Sequence, residues 1–359
     1  MKTGGGKLNV LLLDGDQELA RRIALCLDRG GRAQVFVLSS QNRSLSEASI
    51  RIHKVLHCLA AGDQACIEFL RQAVPRYKIG LVMGCSTIGI SFLIRNSQIL
   101  SGIVPVAAIP TAEQFAIAED KWLTAVELER LHIPTPRTML FGPAARVLGF
   151  PTLIKPRAGF GGRGILRIGS EKEFADLLSS LGDRAETYVA QQFIEGSDID
   201  CSVLCRDGKI LASTVQWGIS GGDDFGPSTE LILDPDPEPL AVTAQMMAGL
   251  QWSGIAHVDL RRAKDGRLHV LEINPRYWWT LPGSLFAGVN FPHLAMLDAL
   301  GESFPVPVYS RTAYLKLGSL LRGGSSARAT PILSTIGVRL ADPLPMLVAR
   351  TLDRLHINI

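Results

Sequence analysis

The chain has 359 residues, more than one ordinary domain holds, so two or three domains are expected. Apolar residues make up 47% of the sequence and charged residues 20%, which fits a globular protein that buries a core and excludes a disordered chain. Lysine and arginine exceed aspartate and glutamate by only 37 − 34 = 3 charges, so neither nucleic acid nor an anionic membrane is the expected main partner.

The six cysteines give no sign of a disulfide framework or a zinc site. No two have the Cys-x-x-Cys spacing, and no histidine lies near Cys201 and Cys205 in a zinc pattern. The apolar run at the N-terminus stops at Asp14, which is too short for a signal peptide. The longest uncharged stretches, 79–94 and 96–112, are shorter than a membrane span. We therefore expect a reduced, soluble, cytoplasmic protein.

The N-terminal third of the chain alternates apolar strands with helices. Leu19, Ile23 and Leu27 recur at helical spacing. Continuous apolar runs, which are typical of buried parallel strands, lie at 8–13, 35–38, 79–83 and 104–109. This alternation predicts an α/β fold with an open parallel sheet. No Gly-x-Gly-x-x-Gly sequence follows the first strand, so a dinucleotide site is not predicted there.

Two polar turns follow strands of this sheet. Asp14 comes directly after the first strand, and the small-residue loop 84–87 follows the strand at 79–83. Ligands of open α/β sheets bind beyond the carboxyl ends of the strands, so both turns are candidate ligand positions. Ordinary turn chemistry is the favoured explanation of each.

The pattern changes after about residue 118. A charged amphipathic helix is predicted over 119–132. From 151 onward strands, glycine-rich turns and hairpins dominate, and Asp207-Gly208 and Asp265-Gly266 each predict a two-residue hairpin turn. The tail from about 304 is proline-rich at first and then apolar and helical.

A glycine-rich hairpin is the first motif that suggests chemistry. The strand 151–156 carries Lys155, the loop 159–164 contains four glycines and Arg163, and a second strand follows at 165–168. Backbone N–H groups in such a loop can surround phosphate oxygens, and Arg163 adds positive charge. A solvated glycine turn is an equally weighted alternative. The loop is not a Walker A sequence, because no Gly-Lys-Ser/Thr follows it.

Paired carboxylates mark the second motif, on the two strands that flank the predicted turn at 265. A two-residue turn places Asp259 opposite Glu272 and His257 opposite Asn274, all on one face. Two carboxylates that face each other across strands repel, and a bound divalent cation removes that cost. Carboxylate and amide oxygens are hard ligands suited to Mg²⁺ with phosphate. We therefore favour a metal site over a solvated polar face.

The third motif is a strand, a turn and a second strand over 188–204. The extended backbone at Phe193 and Ile194, after Gln191, offers a donor and an acceptor to the edge of a purine. Asp198 could accept hydrogen bonds from two ribose hydroxyls. In isolation, an ordinary strand–turn–strand is the favoured interpretation.

Together and in this order, the three motifs resemble the ATP-grasp superfamily over about 119–300. The resemblance is closest to the carboxylate–amine ligase and carbamoyl-phosphate-synthase-like branch. There, an Asn-Pro-Arg sequence such as the one that ends at Arg276 is followed by an aromatic residue and by a segment like 287–292. The N-terminal region resembles the pre-ATP-grasp domain that precedes this fold.

The resemblance implies three parts of the chain. They are an open parallel-sheet α/β domain over 1–118, an α+β ATP-grasp domain over 119–303 and a C-terminal extension over 304–359. Within the second part, a mobile glycine-rich lid is expected over about 151–193.

The resemblance also implies a role for each motif residue. The residues that match the ATP phosphate site are Lys121 and Lys155, with the lid residues Gly159, Gly161, Gly162, Arg163 and Gly164. The residues that match the nucleoside site are Gln191 for adenine, Phe193 and Ile194 through their backbone, and Asp198 for the ribose. The residues that match the metal ligands are Asp259, Glu272 and Asn274. Arg276 matches the arginine beside the acyl-phosphate, so Arg276 and Lys155 are the implied catalytic residues.

The implied activity is that of an ATP-dependent ligase. It activates a carboxylate as an acyl-phosphate and joins it to an amine, releasing ADP and phosphate. ATP and two Mg²⁺ ions are implied, with Mn²⁺ as a substitute, and the partners are small-molecule substrates, with a homodimer left open. The alternatives are a carboxylase-like ligase that activates bicarbonate and a non-catalytic ATP-binding protein.

One feature departs from the family pattern, and the role of one loop stays open. Trp279 and Thr280 stand where the family often has glycine or serine, which affects the shape of the substrate pocket and not the ATP site. In the loop 218–228, Asp223 and Asp224 are candidates for binding the amine, but a solvated acidic loop is favoured.

Overall fold

The computed structural model describes residues 6–220, 225–226, 228–321 and 334–354. Their strands form three sheets, one parallel and two antiparallel. No helix in these ranges is long and apolar enough to cross a membrane.

The N-terminal sheet is the predicted open parallel sheet. Its strands are β1 (Leu8–Leu12), β2 (Ala33–Ser39), β3 (Lys54–His57) and β4 (Ile79–Met83), in the order β3-β2-β1-β4. Its helices are α1 (Glu18–Gly30), α2 (Asp63–Tyr77), α3 (Thr87–Arg95) and α4 (Ser97–Ser101). The predicted strand at 104–109 is wrong: this segment is irregular and forms a single β-bridge, from Val106 to Val82. Pro105 within it has no N–H to donate to a ladder.

Asp14 turns the chain after β1 and caps α3, the helix that follows the neighbouring strand β4. Its backbone is left-handed, with φ of 58°. Its Oδ2 accepts hydrogen bonds from the Ser86 hydroxyl at 2.7 Å and from the Gly89 N–H at 2.6 Å. Burial raises the pKa of this carboxyl, but it lies at the start of α3, where unpaired N–H groups favour an acceptor. Capping therefore accounts for both Asp14 and the loop 84–87.

The charged helix begins two residues later than predicted. α5 (Ala112–Glu119) and α6 (Lys121–Arg130) are separate helices, because Asp120 between them has extended backbone and accepts hydrogen bonds from the first N–H groups of α6. The Asp120 carboxylate also forms a 2.5 Å ion pair with Arg157. Asp120 thereby fixes the first turn of α6, where Lys121 lies, against the second sheet.

The second sheet is small and antiparallel. Its strands are β5 (Thr138–Leu140), β6 (Thr152–Pro156), β7 (Leu166–Ile168) and β8 (Tyr188–Gln192), in the order β5-β8-β6-β7. α7 (Glu171–Leu181) packs on one face, where Phe174 meets Phe141 edge-on with 5.0 Å between ring centroids. The predicted glycine-rich hairpin is the β6–β7 pair.

The third sheet is antiparallel and has six strands. They are β9 (Gly196–Arg206), β10 (Lys209–Ser220), β11 (Glu230–Leu233), β12 (Gly254–Ala263), β13 (Leu268–Asn274) and β14 (Thr312–Tyr314), in the order β13-β12-β9-β10-β11-β14. The remaining helices are α8 (Pro237–Leu250), α9 (Leu281–Ala287), α10 (Phe291–Ala299), α11 (Leu317–Leu321), α12 (Thr335–Ala341) and α13 (Leu344–Arg354). One face packs against α8 around Trp252. The other joins α9, α10 and the N-terminal sheet in a core around Trp278 and Phe291.

The hairpin turn between β9 and β10 is the predicted two-residue turn. Arg206 pairs with Lys209 across it, and Asp207 and Gly208 both have positive φ, 49° and 78°. This backbone matches the twist of the two strands, which is why aspartate followed by glycine predicts it.

The hairpin turn between β12 and β13 differs from the prediction. It has three residues, 264–266, of which Gly266 takes the left-handed backbone with φ of 88°. The extra residue moves the register by one, and a β-bulge at Leu271 moves it back. Asp259 therefore lies opposite Glu272 as predicted, although the turn length behind that prediction is wrong.

The C-terminal tail contains helices, as predicted, and also contacts both earlier parts of the chain. β14 adds an edge strand to the third sheet beside β11. Asp342, between α12 and α13, accepts hydrogen bonds from the Ile50 N–H at 3.0 Å and from the Ser49 hydroxyl at 2.5 Å. The sequence does not predict the edge strand, because a strand of three residues carries too little pattern.

Candidate active site

Three carboxylates lie side by side on the third sheet. β12 lies between β9 and β13, and cross-strand pairing aligns Asp200, Asp259 and Glu272 in one row. Neighbouring strands are about 4.8 Å apart, so each of these side chains has another carboxylate beside it. Sequence reasoning missed Asp200, because β9 and β12 are distant in the chain and nothing local reveals their register.

The pKa values of these carboxyl groups reflect burial beside one another. Burial raises the pKa of Asp200 to about 7. Burial, followed by the Glu272 and Asp200 carboxylates, holds the pKa of Asp259 well above its ordinary range. Burial acts on Glu272 as well, but the ammonium groups of Lys121 and Lys155 help to bring its pKa below the ordinary value. At Asp200 and Asp259, nearby positive charge therefore does not offset burial and the neighbouring carboxylates.

Asn274 and Lys121 relieve part of this repulsion. The Asn274 amide nitrogen donates to Asp259 Oδ1 at 3.2 Å and to Glu272 Oε1 at 3.4 Å. The Lys121 ammonium lies 3.4 Å from Glu272 Oε2. The two carboxylates and the Asn274 amide oxygen are hard oxygen donors of the kind that suits Mg²⁺, and in this structure the amide oxygen accepts from Arg276. The predicted metal ligands are thus side by side in one site.

Lys155 and Gln191 belong to one buried polar chain. Lys155, on β6, is 6% exposed, and its ammonium donates to Gln191 Oε1 at 2.7 Å. Gln191 in turn donates to Thr138 Oγ1 at 3.0 Å. Burial lowers the pKa of Lys155 to about 8, because the charged form loses its hydration. The resemblance assigns these residues to different parts of a nucleotide; here they bond to each other.

The glycine loop between β6 and β7 reaches over the site. Gly159, Gly161, Gly162 and Gly164 all have positive φ, between 68° and 127°, a backbone that other residues rarely adopt. The Lys121 ammonium donates to the Gly159 carbonyl at 2.9 Å. One of the two predicted phosphate-binding lysines therefore holds the start of the loop.

Arg276 lies under the tip of this loop. Its guanidinium is 5.5 Å from the centroid of the Phe160 ring, and that of Arg163 is 5.9 Å from the same ring. Arg276 also donates to Asn274 Oδ1 at 3.0 Å and to the Tyr277 carbonyl at 3.1 Å. It therefore links the predicted metal ligands to the loop tip.

The predicted nucleoside residues have arginine neighbours that the sequence analysis did not single out. Asp198 forms a 2.8 Å ion pair with Arg261, and the guanidinium of Arg167 lies 4.6 Å from the Phe193 ring centroid. Ile194, next to Phe193 and between β8 and β9, is partly buried. Alternation along β12 puts Arg261 on the face of the carboxylate row, and that signal could have found it.

His257 lies beside the carboxylate row. Its Nδ1 is 2.8 Å from Ser202 Oγ, and its ring stacks on Trp278 with 5.2 Å between centroids. Burial lowers the pKa of His257 to about 3, so its ring is neutral at neutral pH. Its Nε2 is 3.8 Å from Asp200 and 3.7 Å from Asp259. These three side chains lie near enough to share a cation.

The two residues that depart from the family pattern lie in different places. Thr280 is buried, with its hydroxyl 3.2 Å from Gln216 Nε2, which also donates to Asp200 at 2.7 Å. Trp279 faces α1 instead: the guanidinium of Arg22 lies 3.9 Å from its ring centroid and donates to its carbonyl at 2.8 Å. Of the two, Thr280 adjoins the carboxylate row.

The loop 218–228 is described in part. The Phe225 carbonyl approaches Gly162 so closely that a side chain at 162 would collide with it. The loop therefore meets the tip of the glycine loop. Asp223 and Asp224 lie outside the described residues, so their part in binding an amine stays a prediction.

Comparison with known proteins finds a family match for the part of the chain that contains this site. Residues 118–279 match the family described as ATP-grasp domain. A probable alpha-L-glutamate ligase of Pasteurella multocida is 29% identical over 185 residues, which are 47% of this chain and 56% of that protein. The match thus spans about half of each chain.

Solved structures share the fold over most of the chain. The L-amino acid ligase of Bacillus licheniformis has a TM-score of 0.66 and 18% identity, over 86% of this chain and 79% of that one. The N5-carboxyaminoimidazole synthetase of Staphylococcus aureus, complexed with ADP, has a TM-score of 0.67 and 15% identity, over 89% of this chain and 86% of that one. At such identities the likeness shows the fold alone. Fold and family match agree with the resemblance in the sequence, and residues 118–279 match an ATP-grasp domain.

Proposed function

We propose that the protein is an ATP-dependent ligase that activates a carboxylate as an acyl-phosphate and joins it to an amine. The observation that carries the proposal is the convergence of Asp259, Glu272 and Asn274 with two lysines and Arg276 under one glycine loop. A guanidinium fork beside a cation site suits a planar acid that is about to be phosphorylated. The names of the Pasteurella and Bacillus ligases support the same activity.

ATP would lie between the second and third sheets. Lys121 and Lys155 would bind its phosphates, and the glycine loop would close over them. Gln191 and the backbone of 193–194 would contact the adenine. Asp198 would accept from the ribose hydroxyls in place of its present bond to an arginine.

Asp259, Glu272 and Asn274 would hold magnesium. The fit rests on two partly buried, facing carboxylates whose repulsion one amide and two lysines relieve only in part. We propose two Mg²⁺ ions, with Mn²⁺ as a substitute. When bound, the metal neutralises charge on the phosphoryl group in transfer.

The reaction consists of two displacements. A carboxylate oxygen of the acid attacks the γ-phosphorus of ATP, the bond to the β-phosphate oxygen breaks, and ADP leaves. The amine nitrogen then attacks the acyl carbon, the carbon–oxygen bond to phosphate breaks, and the nitrogen loses a proton to leave an amide. Arg276 would hold the acid and then the acyl-phosphate, and Lys155 would stabilise the transferring phosphoryl group. The closed loop would exclude the water that hydrolyses an acyl-phosphate.

Two alternatives stay open. Bicarbonate could replace the organic acid in the first displacement, and the chain carries no biotin carrier motif that would assign this role. The second alternative is a non-catalytic ATP-binding protein. The presence together of every charged and amide side chain that the chemistry needs argues against a degenerate site.

ADP release, measured with pools of paired amino acids and with bicarbonate alone, tests the proposal. A ligase releases ADP when an acid and an amine are present together, and an amide accumulates. Release with bicarbonate alone would favour the carboxylase alternative. No turnover with either would favour the non-catalytic one, provided that nucleotide still binds.

The domain organisation is part of the proposal. We propose a pre-ATP-grasp domain over 1–118, an ATP-grasp domain over 119–303 with its lid at about 151–193, and an extension over 304–359. β14 lies in that extension but pairs with the third sheet, so the last two parts fold together. A homodimer and a cytoplasmic location complete the proposal.

A further inference from the structure

Asp200 is a partly buried carboxylate that forms no ion pair with a lysine or arginine in the part of the chain that the structure describes. Its side chain is 19% exposed. The basic side chain near it is His257, with Nε2 at 3.8 Å. Asp198, two residues earlier on the same face, forms an ion pair with Arg261. A partly buried charge without a partner costs stability, and a positively charged ligand would offset that cost.

Other hydrogen-bond acceptors lie near the Asp200 carboxylate. The Thr280 hydroxyl and the Asp200 carboxylate are joined through Gln216, whose amide nitrogen lies 3.2 Å from the first and 2.7 Å from the second. Ser202 Oγ lies 2.8 Å from Nδ1 of His257, and when that nitrogen carries the proton, Nε2 can accept from an incoming donor. An ammonium group has three N–H donors and needs acceptors of this kind.

This position adjoins the place where an acyl-phosphate would form. Asp200 pairs in register with Asp259, a proposed metal ligand, one strand spacing of about 4.8 Å away. His257 pairs with Asn274, to which Arg276 donates a hydrogen bond. A nitrogen held at Asp200 would therefore lie beside an acyl group held at Arg276.

We infer that Asp200, with Thr280 and His257, binds the ammonium group of the amine substrate and orients it toward the acyl-phosphate. The substrate class is a primary amine that is charged at neutral pH, and amino acids are its first candidates. The inference rests on the proposed ligase function and adds to it the site of the nucleophile.

A metal ion is the competing occupant. Atoms of Asp200, His257 and Asp259 lie close enough together to hold one. Gln216 donates an N–H to Asp200 Oδ2, the oxygen that faces His257. The lone pairs that remain on the carboxylate can accept from an ammonium or ligate a metal, so this bond does not separate the two occupants. The test therefore treats metal binding at Asp200 as an outcome against the inference.

Hydroxylamine separates acid activation from amine binding. It is a small uncharged nucleophile that attacks the acyl carbon, expels phosphate and leaves a hydroxamate, so it needs no ammonium site. The mixture contains ATP, Mg²⁺ and the twenty protein amino acids as acids and amines. Hydroxamate is measured with hydroxylamine present and amide is measured without it. We expect Asp200→Asn to lower amide formation at least tenfold, through a higher KM for the amine, and to keep hydroxamate within twofold of wild type.

Asp265→Asn is the matched control. It makes the same change in the exposed turn of the same sheet, where the carboxylate pairs with Arg267, and both products should stay at wild-type levels. If Asp200→Asn does not unfold cooperatively, Asp200→Glu takes its place. That variant keeps the charge and shifts it by one methylene, so it should also lower amide more than hydroxamate.

Three results would overturn the inference. They are an equal loss of amide and hydroxamate in the Asp200 variant, unchanged amide formation in it, and wild-type hydroxamate without any amide. A Mn²⁺ titration followed by electron paramagnetic resonance adds a fourth, namely one bound ion fewer in Asp200→Asn than in wild type. If wild type makes no hydroxamate at all, the proposed ligase function fails instead.

Discussion

Partly buried carboxylates occur at the carboxyl end of β1 in the N-terminal sheet and on β12 and β13 of the third sheet, and their hydrogen-bond partners differ. Asp14 accepts hydrogen bonds from a hydroxyl and a backbone N–H at the start of α3, so donors of the fold itself satisfy it. Asp259 and Glu272 face each other across two strands, with one amide and one lysine beside them. The comparison suggests that a buried carboxylate marks a binding site where the chain leaves it short of donors or positive charge.

Among the proposed variants, Glu272→Ala should lower ATP turnover most. It tests directly whether the carboxylates of the third sheet serve a ligand and not the fold. If the carboxylate row serves a ligand, its loss should abolish ATP turnover, by more than about a hundredfold, because the metal loses a ligand. The fold should stay cooperative, because the change also removes a repulsion. ADP release and thermal unfolding measure the two effects. Normal turnover at saturating Mg²⁺ would contradict the metal assignment.

Arg276→Lys should have the next largest effect. Lysine keeps the charge but loses the planar fork that fits a carboxylate. We expect turnover of the acid substrate to fall by roughly tenfold to a hundredfold, or about 1.4–2.7 kcal/mol, with nucleotide affinity little changed. Nucleotide titration and turnover are measured on the same variant. Lost nucleotide affinity with an unchanged dependence on the acid would mean that Arg276 only holds the strand end.

Asp14→Ala tests the other side of the comparison. Because Asp14 serves the fold, its loss leaves buried N–H groups unpaired at the start of α3 and should lower the free energy of unfolding by about 1–3 kcal/mol. Turnover per folded molecule should not change. Denaturant unfolding and an active-site titration measure the two quantities. A variant of normal stability with altered turnover would break the comparison.

The pH dependence of nucleotide binding tests whether the Lys155 ammonium, which has a hydrogen-bond partner within the protein, can still bind a phosphate. Lys155 donates to Gln191, and burial lowers its pKa to about 8, so its ammonium is charged below that pH and neutral above it. Nucleotide affinity should therefore fall about tenfold as pH rises from 7 to 9. In Lys155→Met, affinity should be low and nearly independent of pH over this range. A wild-type affinity that stays constant would exclude Lys155 from the phosphate site.

The sequence predicts those parts of the molecule that depend on short-range pattern. Apolar runs locate β1, β2 and β4, and aspartate followed by glycine locates both hairpins. The pairing of Asp259 with Glu272 is also predicted, but only because two irregularities cancel. The turn 264–266 adds one residue to the register, and the bulge at Leu271 restores it. A bulge depends on contacts with neighbouring strands, which a single sequence does not show.

Long-range contacts account for what the sequence does not predict. Asp200 joins the carboxylate row through the pairing of β9 with β12, and β10, β11 and α8 separate these strands in the chain. Arg261 reaches Asp198 across the same pair of strands. The predicted start of the charged helix at 119 is wrong for a local reason, because Asp120 lies between two helices and caps the second, α6.

The Asn274 carboxamide has a consequence for the order in which substrates add. Its oxygen accepts from Arg276, while its nitrogen faces the two carboxylates. To ligate a cation, Asn274 must turn this same oxygen toward the metal, which frees the guanidinium. We therefore expect compulsory ordered addition, with the metal–nucleotide complex first and the acid second. Competition experiments should then show an acid analogue to be an uncompetitive inhibitor toward ATP.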